Sequence, residues 1–217
     1  QFLQYYEMLV EKNKVMNLTG ITEYEEVIQK HFLDSLSLIR VIPDIASQKL
    51  TVIDLGTGAG FPGIPLKIAF PELDITLMDS LNKRILFLQE VIDALGLKKV
   101  SAVHGRAEEM ASNATHRQQY DLCVSRAVSN LAVLTEYCLP FVKKGGLFVS
   151  YKSADSDAEI QEGKKAISIL GGKLTSVDKF QLPDSDLRRA LVCIKKVKDT
   201  PKKYPRKAGT PAKLPLK

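Results

Sequence analysis

Apolar side chains recur at Phe2, Leu3, Tyr5, Tyr6, Leu9 and Val10, the spacing of one helix face. The same period predicts helices over residues 23–28 and 31–42, the second stopped by Pro43. From Thr51 the pattern changes. Short apolar runs at 51–55, 74–78, 100–104, 120–125 and 147–151 read as strands. Helical patterns lie between them, at 62–70, 82–95, 106–109 and from Asn130 to near Pro140. Asn82 and Asn130 are read as N-caps, Gly96 as the residue that ends its helix, and Gly145-Gly146 as the turn into the fifth strand. A last helix, 157–170, ends at Gly171-Gly172, and two strands follow with no helix between them, at 173–180 and 191–197.

Regular alternation of strand and helix predicts crossover units and a parallel sheet, a doubly wound α/β fold. The final two strands must pair as an antiparallel hairpin. The expected division is a helical segment over residues 1–50, a ligand-binding domain over 51–197 and a tail over 198–217.

Composition adds a charge asymmetry. The chain of 217 residues has a net charge of +6, yet its last 23 residues hold nine bases and one acid, Asp199. Pro201, Pro205, Pro211 and Pro215 punctuate that stretch and oppose regular helix. A basic, proline-broken tail reads either as a nucleic-acid contact or as a solvated terminus. Cys123, Cys138 and Cys193 are odd in number and set in apolar surroundings, which predicts buried free thiols in a reducing cytosol. No apolar run approaches the ~20 residues of a membrane helix. No secretory pattern is read at the start, and Gln1 is taken as a trimmed beginning. The histidines and cysteines lack metal-ligand spacing, so no metal is expected.

Candidate chemistry sits where the first strand ends. Asp54 is followed by Gly56, Gly58 and Gly60, then Phe61 and Pro62. Glycines at alternate positions allow positive φ and close approach of a ligand. Nineteen residues past Gly60 the second strand ends in Asp79, an acid able to accept ribose hydroxyls. The arrangement looks like motifs I and II of S-adenosylmethionine-dependent methyltransferases. A dinucleotide pocket, through the loose match from Gly58 to Gly63, and a turn that holds no ligand are the alternatives. Four points then meet beyond the strand ends: the loop Gly56 to Phe61; Asp79, Ser80 and Leu81; Ala107 and Glu108, for the adenine amino group; and Arg126, for the methionine carboxylate or the acceptor. Asp54 either binds ligand or orients the loop. Arg126 also fits a helix cap, and Glu108 an ordinary acid meeting a helix dipole.

No Asn/Asp-Pro-Pro-Tyr/Phe motif and no Pro-Cys pair occur, which argues against methylation of an exocyclic amine or of cytosine C5. An acceptor with a free lone pair, such as guanine N7, needs only alignment.

Several stretches carry a closer resemblance: Asn17-Leu18-Thr19, His31-Phe32-Leu33-Asp34-Ser35-Leu36, the glycine loop, Asp79-Ser80-Leu81-Asn82-Lys83-Arg84, Gly105-Arg106-Ala107-Glu108, Ser125-Arg126-Ala127-Val128, and the tail from Pro201 to Pro211. By these the chain resembles the bacterial 16S ribosomal RNA methyltransferase G family, also called glucose-inhibited division protein B. The resemblance implies a Rossmann-like methyltransferase sheet and S-adenosylmethionine as cofactor. It implies methylation of guanine N7, at guanine 527 of the 530 loop, with 16S RNA or the small ribosomal subunit as partner. It implies cofactor contacts at Gly56, Phe61, Asp79, Ser80, Leu81, Ala107, Glu108 and Arg126, to which the turn geometry adds Gly58 and Gly60. It also favours RNA contact by the tail, with Tyr204 stacking on a base and Lys202, Lys203, Arg206 and Lys207 on phosphates. A small-molecule or protein methyltransferase, and a non-catalytic RNA-binding module, are the competing functions. A cytoplasmic monomer is expected. Lys152 and the segment from His31 to Ser35 are the places to seek groups that act on the acceptor.

Overall fold

The computed structural model describes residues 1–126 and 129–216; Ala127 and Val128 of the fourth-strand motif lie outside the described residues. A seven-stranded sheet runs in the order β3-β2-β1-β4-β5-β7-β6. The strands are β1 (Thr51–Leu55), β2 (Asp74–Asp79), β3 (Val100–His104), β4 (Tyr120–Arg126), β5 (Val142–Ser153), β6 (Gly172–Gln181) and β7 (Arg188–Lys196). The first five are mutually parallel. Strand β7 is antiparallel to both neighbours, so the hairpin folds back and inserts its second strand between β5 and β6.

Successive strand residues point to opposite faces, and each face has its own core. Val52, Val124, Val149 and Cys193 lie with Tyr5, Phe32, Ile64 and Leu88 on one side. Ile53, Cys123, Phe148 and Val192 lie with Leu131, Leu134 and Ile167 on the other. Helices α1 (Phe2–Met16), α4 (Gly63–Ala69) and α5 (Asn82–Leu95) thus cover the first face, and α7 (Leu131–Cys138) and α8 (Asp157–Ile169) the second. All three cysteines are free and buried, as their apolar settings suggest. No helix among the described residues is long and apolar enough to cross a membrane.

Some local readings change. The two helices expected at 23–28 and 31–42 are one continuous element: α2 (Tyr24–Val27), a π turn (Ile28–Leu33), α3 (Asp34–Leu36) and a 3-10 turn (Ser37–Arg40). No glycine or proline interrupts it, and the wide π turn buries Phe32 in the core while His31 faces the cleft described below. Asn82 does not cap α5; Leu81 occupies the cap position with extended backbone, whereas Asn130 accepts from Val133 N at 3.1 Å as expected. Gly145-Gly146 is not a turn into β5 but lies inside it, where the pairing with β4 shifts register between Tyr120 and Leu122. A Cβ on Gly146 would stand 2.7 Å from the Asp121 carbonyl oxygen, so the strands close up only around glycine there.

Candidate active site

Strand order reverses between β1 and β4, and in open parallel sheets the ligand crevice opens beyond the strand ends at that point. The chain leaves β1 through Gly56 and Gly58, with φ of 72° and 62°. Asp54 ties this loop from beneath: its Oδ2 accepts from Thr57 Oγ1 at 2.7 Å and from Gly63 N at 2.8 Å. The carboxyl is wholly buried, and burial pushes its pKa up to about 7 against the pull of those two donors. Asp54 therefore orients the loop. Gly60 turns the other way. A Cβ there would meet Ile64 Cγ1 and Tyr5 Oη at 2.7 Å, so this glycine serves packing against α1, not the cleft as expected.

The cleft holds about 690 Å³, within the range of small-molecule sites. Gly56, Gly58 and Phe61 line it from β1, Asp79 and Ser80 from β2, Ala107 and Glu108 from α6 (Ala107–Met110), and Arg126 from β4. Leu81 does not line it; its side chain is exposed to solvent. Asp79 is almost fully buried and bridges the elements. Its Oδ2 accepts from Gly58 N at 3.0 Å and from Arg84 Nη1 at 3.1 Å, and its Oδ1 from Leu81 N at 2.9 Å. A carboxylate offers roughly four lone-pair directions, so three are used and one stays open. His104, read as a strand-end residue, donates from Nε2 to Ser80 O at 3.1 Å.

Arg126 is neither a cap nor free. Its Nη1 donates to Asp34 Oδ2 at 2.9 Å, its Nη2 to His31 Nδ1 at 3.2 Å, and its guanidinium lies 5.0 Å from the Phe61 ring centre. Asp34 is shared with Arg189 Nε at 3.1 Å. His31 stacks on Phe61 at 4.4 Å and, with Nδ1 accepting, its Nε2–H donates to Thr19 Oγ1 at 2.8 Å. Burial and the neighbouring Arg126 lower its pKa to about 4, so the ring is neutral at pH 7. Lys152 is not among the residues that line the cleft; its Nζ donates to Ser129 O and pairs with Glu159, each at 2.6 Å.

A family model described as rRNA small subunit methyltransferase G matches residues 1–192. The chain belongs to that family. A ribosomal RNA small subunit methyltransferase G from Lachnoclostridium phytofermentans is 59% identical over 216 residues, covering 100% of this chain and 88% of the relative. Another from Alkaliphilus metalliredigens is 56% identical over 217 residues, covering 100% and 90%. Among solved structures, TrmN from Thermus thermophilus aligns with a TM-score of 0.55 at 15% identity, over 75% of this chain and 48% of that one. MtNAS in complex with MTA and tNA aligns with a TM-score of 0.58 at 14% identity, over 90% and 74%. At such identities the structural likeness shows the fold.

The tail of this rRNA methyltransferase departs from expectation in two residues. The Tyr204 ring is buried in the core cluster that includes Leu131, Leu134 and Cys138 of α7, so it has no free face for a base. Arg206 is clamped on the buried Glu136 of α7, with Nη2 to Oε2 at 2.6 Å and Nε to Oε1 at 2.9 Å, so two of its three guanidinium nitrogens are taken by the fold. Lys202, Lys203 and Lys207 are exposed. Gly209 is a cleft residue that sequence reasoning missed. Its N–H donates to Glu108 Oε1 at 3.0 Å and it lines the cleft itself. The only signal for it was the resemblance of the whole tail.

Proposed function

We propose that this methyltransferase transfers a methyl group from S-adenosylmethionine to N7 of a guanine in 16S ribosomal RNA. S-adenosylmethionine, when bound, supplies an electrophilic methyl on a positively charged sulfur. The cleft suits such a molecule: the glycine loop leaves its backbone open, the remaining lone pair of Asp79 accepts a ribose hydroxyl, and Ala107 and Glu108 offer an N–H and a carboxylate to the adenine edge.

The observation that favours a ring nitrogen is the state of His31. It is the only imidazole lining the cleft among the described residues, both its nitrogens are engaged, and it holds no proton vacancy for an acceptor. An N7 lone pair forms its bond to carbon as the sulfur–carbon bond breaks, and no proton leaves the base. The chain's task is then alignment and exclusion of water. His31, Thr19 and Arg126, fixed by one another and by Asp34, form a rigid rim for the incoming base. Lys202, Lys203 and Lys207 supply phosphate contacts on the outer surface. The same reading takes residues 1–50 as a helical segment, 51–197 as the cofactor domain and 198–217 as a tail, in a cytoplasmic monomer.

The deciding experiment is transfer of labelled methyl from S-adenosylmethionine to small ribosomal subunits that lack the modification, followed by identification of the labelled base. Label recovered as 7-methylguanine in 16S RNA is the expected result. Label in another base overturns the N7 assignment, and no label with cofactor still bound moves the reading to another acceptor.

A further inference from the structure

We propose that residues 204–211 form a strap that builds one wall of the cofactor cleft, and that the Arg206–Glu136 pair sets cofactor affinity by holding Glu108 in place. The inference rests on the reading that this cleft takes S-adenosylmethionine.

Three anchors hold the strap. Arg117 donates from Nη1 to Tyr204 O and from Nη2 to Thr200 O, both at 2.9 Å. The Tyr204 ring is sunk in the core. Glu136, fully buried in α7, receives three donors from one residue: Arg206 N at 2.8 Å and the two guanidinium nitrogens. A planar fork on a buried carboxylate fixes orientation as well as distance, which a flexible ammonium cannot do. Three residues further on, Gly209 takes φ of 81° and turns its N–H to Glu108 Oε1. Side chains rarely adopt that backbone, so glycine suits the turn.

Glu108 is thereby gripped from outside its own helix. One carboxylate oxygen is engaged by Gly209, and the other has no hydrogen-bond partner among the described residues. That free oxygen belongs to a side chain lining the cleft, and it suits a ligand N–H donor such as an adenine amino group. Without the strap, Glu108 would have to lose its rotamer freedom at the moment of binding, which costs affinity. Arg206 and Glu136 are thus positioning residues. They act through Gly209 and Glu108 and need not touch the ligand.

The test is calorimetric titration of the full chain with S-adenosylhomocysteine, without RNA, alongside thermal melts. Arg206→Ala should raise Kd about ten-fold, the loss of one well-placed hydrogen bond to a charged group, and Arg206→Lys should recover part of it. Glu136→Gln, which keeps the shape but only one of the two acceptor oxygens, should fold and weaken binding several-fold. In a Glu108→Gln background the effect of Arg206→Ala should largely vanish, since the two act on one contact. Folded variants that bind as tightly as wild type would overturn the strap. So would an Arg206→Ala loss that stays undiminished beside Glu108→Gln, because the pair would then act by another route. Wild-type protein that binds no S-adenosylhomocysteine would overturn the cofactor reading of the cleft, and the strap with it.

Discussion

The Tyr5 hydroxyl donates to the carbonyl oxygen of Ala59 at 2.6 Å, joining the first helix to the loop that forms the cleft floor. Both groups are buried, and the tyrosine ring packs between Phe32 and Phe61 at 5.7 and 5.5 Å. Helix α1 is therefore the back support of the glycine loop. Tyr5→Phe leaves a buried carbonyl unsatisfied and should destabilise the protein by about 1–3 kcal/mol. It should also weaken cofactor binding, because the loop loses its brace. Denaturant unfolding and calorimetry separate the two effects. A stability loss with unchanged affinity would reduce α1 to a scaffold.

Asp79 is expected to carry the ribose. Asp79→Ala should weaken cofactor binding by about 1.5–3 kcal/mol, the worth of hydrogen bonds to a charged group. Gly58 and Leu81 also lose their acceptor, so the free loop should show faster amide exchange. An unchanged dissociation constant would remove Asp79 from the ligand's contacts.

Asp54 makes stability depend on pH. Its folded pKa of about 7 lies above the ordinary 3.8, so the folded state holds the proton over that interval. The contribution is complete below about pH 3.8 and is lost as pH rises through 7. His31, with its pKa lowered to about 4, works in the opposite sense, losing stability as pH falls from 6.5. Comparing wild type with Asp54→Asn isolates the first term. Going from pH 5 to pH 8, the variant should gain about 2–3 kcal/mol relative to wild type. A stability difference that does not move with pH would mean that Asp54 is ionised throughout.

With Tyr204 and Arg206 taken up by the fold, the exposed Lys202, Lys203 and Lys207 are the tail residues proposed to meet RNA phosphates. Each lysine replaced by alanine should lower the slope of log affinity against log salt by about 0.7 on single-stranded RNA. Anisotropy with a labelled 16S fragment reads this directly. A slope that survives all three replacements would place the RNA elsewhere.

The sheet, the glycine loop and Asp79 were legible because strand alternation and turn chemistry are local signals. Gly60 was misread because a glycine that admits a ligand and one that admits a neighbouring hydroxyl look alike in sequence. The same holds for Tyr204: an aromatic amid lysines suits both a base and a core, and only its burial in the same core cluster as Leu131, Leu134 and Cys138 separates them. Gly209 and Glu108 stand 101 residues apart, a pairing that no spacing rule reaches. Asp34 escaped as an anchor for Arg126 because the π turn that points it there breaks the regular helical period.

Strand β7 lies between β5 and β6 although it follows both in the chain. During synthesis, the edges of β5 and β6 that face β7 have no native partner until residues 188–196 emerge, since among the described residues β7 alone bonds to both. The sheet is thus completed from the inside and late, and the tail that walls the cleft follows after it. A chain stalled before Arg188 should be prone to edge pairing with other chains, measurable as aggregation of ribosome-released fragments. The cleft is finished only in a chain that has already closed its sheet, so a half-made enzyme lacks the wall that Gly209 supplies.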